Sequence, residues 1–129
     1  MRLSVTSIPD IILKLQNAAT ADRGLDVEIA LASGYTRSLQ SGSSAKRPRY
    51  TWFHPKGGVT KVPFFTKHID AATDLVLLLR PGCSGGFTWG KTFPTAKIED
   101  GPRFAAATPS LALCAAALSA IYQTPEINS

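Results

Sequence analysis

With 129 residues, 44% hydrophobic and 18% charged, the chain has the size and make-up of one globular domain, which excludes a disordered or fibrous protein. No run approaches the ~18 apolar residues of a membrane helix, which excludes a spanning segment and a membrane partner. Met1-Arg2-Leu3-Ser4 leads into polar residues and Pro9 rather than an apolar signal core, so the expected location is the cytoplasm, the host cytoplasm if the protein is viral.

The first element is a helix. Ser7 is placed as its N-cap with Asp10 three residues on, and Ile8, Ile11, Ile12 and Leu15 fall on one face. Asp22-Arg23-Gly24 reads as a turn. A second short helix runs over 25–33, with Gly34 as its left-handed stop. Residues 36–49, T-R-S-L-Q-S-G-S-S-A-K-R-P-R, show no sustained period and read as an exposed, flexible basic arm.

Tyr50-Thr51-Trp52-Phe53-His54 is β-prone. The turn Pro55-Lys56-Gly57-Gly58 lets 59–62 return antiparallel, and Pro63 ends the strand. A helix follows over about 69–78, capped by Thr66 or His68. Three short strands are then expected at 87–91, 95–99 and 103–107, separated by Phe93-Pro94 and Asp100-Gly101-Pro102.

The stretch A-A-T-P-S-L-A-L-C-A-A-A-L-S-A-I-Y, residues 106–122, organises the rest. Thr108 as N-cap and Pro109 at the first helical position start a helix that is apolar on nearly every side. Such a helix must be buried against several partners. A frayed tail is expected over 124–129. The order of elements predicts an α+β fold with an antiparallel sheet of about five strands, the last helix lying against it and another helix over that.

Fourteen Lys and Arg stand against nine acids, a formal net charge of +5. Between Glu28 and Asp70 there is no acid, and that interval holds Arg37, Lys46, Arg47, Arg49, Lys56, Lys61 and Lys67, half of the basic residues. A one-sign segment of this length attracts anions. Tyr50, Trp52, Phe53 and His54 interleave with these cations, the residue types that stack on bases while cations hold phosphates. The expected partner is therefore anionic: a nucleic acid, a nucleotide or an acidic protein. Against this stands a plain strand reading, with Trp52 turned into the core and the charges merely solvated.

Three stretches, L-D-V-E-I-A-L-A-S-G-Y at 25–35, F-T-K-H-I-D-A-A-T-D-L-V at 65–76 and A-A-T-P-S-L-A-L-C-A-A-A-L at 106–118, resemble in order and spacing the phage ABA-sandwich domain of small phage and prophage proteins, the NinX-like group. The resemblance implies a three-layer α/β/α sandwich and a viral or prophage origin, and it permits an accessory role on a host or host-defence factor without showing one. It carries over no catalytic residue, and the insertion at 36–49 has no counterpart in it.

Other motifs are weaker. G-G-F-T-W-G-K-T, residues 85–92, fits the Walker A pattern, with Gly85, Gly90, Lys91 and Thr92 in the phosphate-binding positions and 75–79 as the preceding strand. The context opposes it: five residues separate that apolar run from Gly85, and prolines interrupt the helix that must follow. A small NTP-binding enzyme is thus the alternative reading, and a ligand-free structural or oligomeric component the third. Cys83 with His54 or His68 is a thin case for a thiolate nucleophile. Cys114 reads as a small buried hydrophobe. Two histidines and two distant cysteines lack metal-ligand spacing, so neither metal nor cofactor is expected, and no catalytic residue.

Overall fold

The computed structural model describes residues 7–90 and 93–122. Helices α1 (Ile8–Asn17) and α2 (Arg23–Ala32) lead into strands β1 (Thr36–Leu39), β2 (Tyr50–Phe53) and β3 (Val59–Thr60). Helix α3 (Ile69–Leu79) follows, then β4 (Gly85–Thr88), β5 (Thr95–Ile98), β6 (Phe104–Ala105) and helix α4 (Pro109–Tyr122). The expected frayed tail lies outside the described residues.

The helix starts follow from their caps. Ser7 Oγ accepts from Asp10 N at 3.3 Å, and Thr108 Oγ1 accepts from Leu111 N at 3.2 Å. Asp22 does the same for α2 through Leu25 N at 3.2 Å, so the expected turn at 22–24 is instead the first turn of that helix. Gly34 takes φ +102°, which an L side chain rarely adopts, and stops α2 as expected. Of the two caps considered for α3, the structure uses His68, whose side chain makes no capping bond. Thr66 is occupied elsewhere.

The strands are antiparallel, but they form two three-stranded sheets, β1-β2-β3 and β4-β5-β6, rather than one sheet of about five. Helix α3 enters between β3 and β4 and carries the chain away from the first sheet before the second begins. The extra strand is β1, within the segment expected to be a flexible arm. All four of its residues are exposed, so no apolar alternation marks it, and it is a strand because Thr36–Leu39 pairs with Tyr50–Phe53. The remainder, 40–49, is the loop of a β-hairpin, closed at its base by Gln40 N donating to Arg49 O at 2.7 Å.

Helix α4 is the middle of the molecule. Residues Ser110 to Ser119 are all buried, enclosed by α1, α3 and the second sheet. Its alanines permit close approach, while Leu111 and Leu118, with no exposed surface, fill the space between elements. The last helix thus lies against a sheet with helices over it, as the order of elements predicts, whereas the sandwich implied by the resemblance, with the sheet in the centre, does not form. The first sheet stands to one side, and of its strand hydrophobics Trp52 is the one packed against the core.

Candidate functional site

The first sheet carries most of the acid-free segment. Pairing sets Arg37 opposite Trp52 and Leu39 opposite Tyr50, so these four side chains share one face. The Arg37 guanidinium lies 4.2 Å from the Tyr50 ring centroid and 5.4 Å from that of Trp52. Both rings are half-buried. From sequence Trp52 can belong to core or surface; the structure puts it at both, packed against the core and with its ring near Arg37. This leaves less open ring face for stacking on a base than the residue types suggested.

His54 is a turn-holding residue. Its Nδ1 accepts from Lys56 N at 3.0 Å, its carbonyl from Gly57 N and its own N–H donates to Gly58 O, both at 2.9 Å. Gly57 and Gly58 sit at φ +104° and +95°, the backbone such a tight reversal needs. The ring meets Tyr35 edge-on, 5.2 Å between centroids. Lys56 is thereby carried at the tip of the β2–β3 turn.

The hairpin loop 40–49 is folded on itself. Ser43 donates to Gln40 O through both N and Oγ, and Arg47 N donates to Ser44 O and Oγ. Gly42, Ser43, Ser44, Arg47 and Arg49 line a shallow concavity of about 390 Å³. Lys46 is exposed on the same loop.

The base of this region is fixed by a network that sequence reasoning missed. Asp26, 1% exposed, accepts at Oδ1 from Thr66 N and Thr66 Oγ1, both at 2.8 Å, and pairs through Oδ2 with Arg23 at 2.8 Å. Arg23 also donates to Pro63 O at 2.9 Å and Val62 O at 2.7 Å, and covers the Phe64 ring at 3.9 Å. The charge pattern gives no hint of this, because Arg23 falls in the expected turn at 22–24 and Asp26 looks like an ordinary surface residue of a first helical turn.

Three ion pairs form among the described residues: Lys14–Glu28, Arg23–Asp26 and Arg80–Glu99. None involves the acid-free segment. Arg37, Lys46, Arg47, Arg49, Lys56, Lys61 and Lys67 are all exposed, and none has a carboxylate partner among the described residues. The structure brings five of them onto the first sheet and its turns; Lys61 directly follows β3, and Lys67 lies apart, in the turn before α3.

The Walker-like stretch takes another form. Gly85 to Thr88 are strand β4, paired residue by residue with Ile98 to Thr95, so the segment is extended rather than curled around a phosphate. Residues 75–79, cast as the preceding strand, belong to helix α3. Gly85 is a glycine for packing: a Cβ there would meet Lys97 O at 2.8 Å. Gly90 follows the strand, and Lys91 and Thr92 lie outside the described residues. Cys83 is half-exposed, its N–H bonded to Arg80 O, and neither His54 nor His68 is its partner. Among the described residues, no three His, Cys, Asp or Glu side chains gather to hold a metal ion, and no helix is long and apolar enough to cross a membrane.

Comparison with protein-family models, curated proteins and solved structures finds no match to this chain.

Proposed function

We propose that the protein is a non-enzymatic binding module that holds the phosphate backbone of a nucleic acid on its first sheet and hairpin loop. One observation carries this: a projecting sheet on which every cation is exposed and none is neutralised by a carboxylate. A solvated structural face ordinarily mixes signs. The hairpin adds two arginines, Arg47 and Arg49, lining one concavity, and Arg forks suit phosphate oxygens. With Tyr50 and Trp52 half-buried against Arg37, contact is to backbone rather than to bases, so binding is expected to be insensitive to sequence. An accessory role in a phage or prophage, acting on a host factor, rests on the resemblance of 25–35, 65–76 and 106–118 alone.

The test is fluorescence anisotropy with labelled DNA and RNA of mixed sequence across a salt series. Affinity should fall steeply with salt, log K against log salt having a slope of about −0.9 for each duplex phosphate contacted. No binding at low salt, combined with lysate capture that nuclease treatment leaves intact, would assign the surface to an acidic protein instead.

A further inference from the structure

A pocket lies where α3 and α4 begin. The first turns of both helices open onto one pocket of about 450 Å³, lined by Lys67, His68 and Asp70 from one side, Thr108 and Ser110 from the other, and Phe87 of β4 as a wall. Helix N-termini present unpaired backbone N–H groups and the positive ends of their dipoles. Here Ala71 N is taken by Asp70 Oδ1 at 3.0 Å and Leu111 N by Thr108 Oγ1. The N–H groups of Ile69, Asp70 and Ser110 have no acceptor among the described residues.

Ser110 points to a ligand independently of the helix ends. It is 5% exposed, it lines the pocket, and its hydroxyl has no hydrogen-bond partner among the described residues. A buried hydroxyl without a partner is unfavourable, and another serine shows the usual solution: Ser33, also buried, donates to Ile29 O at 2.7 Å. Ser110 makes no such bond among the described residues, although it lines the pocket. The charges sum in favour of an anion. Lys67 contributes one positive charge and each helix end roughly half of one, against the single carboxylate of Asp70.

We propose that this pocket binds the phosphate group of a mononucleotide, with Ser110 Oγ and the free first-turn N–H groups as donors, Lys67 as counter-charge and the base over the aromatic edge of β4. Phe87 lines the pocket, and Trp89, just past the end of β4, lies 6.1 Å from it at a tilt of 39° and is 76% exposed. The site is distinct from the first sheet and shares none of the hairpin residues.

Thermal melting and calorimetric titration of the full chain with inorganic phosphate, AMP and adenosine test it. AMP should stabilise most, phosphate less and adenosine least. Ser110→Ala and Lys67→Ala should each weaken AMP binding about tenfold or more, as expected when one hydrogen bond or ion contact to a charged group is removed. Asp70→Asn should tighten it by removing the opposing charge, and Trp89→Ala should reduce the advantage of AMP over phosphate. The triple reversal Lys46→Glu, Arg47→Glu, Arg49→Glu should leave AMP binding unchanged, which separates this site from the nucleic-acid surface. Absence of any shift with AMP in the parent, or equal affinity in parent and Ser110→Ala, overturns the proposal. If AMP binding is lost in the triple reversal but kept in Ser110→Ala, the ligand belongs to the hairpin and the pocket assignment fails.

Discussion

At the scale of single residues, buried polar groups decide more than the charges on the surface. Thr66 shows this. Its hydroxyl donates to Asp26 Oδ1 at 2.8 Å and accepts from Asp22 N at 2.9 Å, tying the start of α2 to the segment that leads into α3. Thr66→Val keeps the shape and removes both bonds, leaving a buried carboxylate short of a donor, so it should cost about 1–3 kcal/mol in urea unfolding. Cys114 supplies a pH test. Burial, with Asp26 adding a smaller effect, pushes its thiol well above the ordinary range, and burial pushes the Tyr35 phenol up as well. The unfolded chain then releases a proton from Cys114 where the folded chain does not. Stability is full below the ordinary thiol value of about 8.5 and falls as pH rises beyond it, by up to about 1.4 kcal/mol per pH unit per differential proton. Cys114→Ala should flatten that fall between about pH 8 and 10 in melting curves. Native protein should meanwhile react with iodoacetamide at half-exposed Cys83 and not at Cys114.

At the scale of elements, legibility followed the strength of the local signal. Three helix ends were readable because a side chain or a glycine does a nameable job there: Ser7, Thr108 and Gly34. Helix α4 was readable as core because no polar face exists for it to expose. Strand β1 was not, since T-R-S-L has no apolar face and becomes a strand only by pairing with β2. The division into two sheets was equally hidden, because nothing in a strand's own residues says which strand lies beside it. The basic segment was legible as charge, whereas the site at the helix starts was not: its residues are spread over 67–70, 87 and 108–110, and only folding gathers them. The centrality of α4 is directly testable. Leu118, fully buried, should cost about 2–5 kcal/mol as Leu118→Ala, and Leu113→Ala, at 5% exposure, should fall in the same range. Melting within a degree or two of the parent for both would remove α4 from the centre of the fold.

At the scale of the whole molecule, the chain separates a body from a charged outrigger. The body is α4 with α1, α3 and the second sheet around it. The outrigger is the first sheet, attached through Trp52 and braced at its base by the contacts of Arg23 with Val62 O and Pro63 O. This separation predicts that stability and anion binding can be changed independently. Lys46, Arg47 and Arg49 are exposed on the hairpin loop and form no ion pair among the described residues, so reversing all three to Glu removes no packing and breaks no salt bridge. The melting temperature should therefore stay near that of the parent, since surface changes away from specific features generally fall within about 0.5 kcal/mol. Binding to nucleic acid should fail, because each of the three cations that meets phosphate has become an anion that repels it. Charge-neutral replacements should instead make the slope of log K against log salt shallower by about 0.9 for each duplex phosphate that is no longer neutralised. A mutant that melts like the parent and binds nucleic acid with the same salt slope would show that the hairpin cations only keep the protein in solution. A mutant that loses both binding and several degrees of melting temperature would show that the outrigger is part of the core after all.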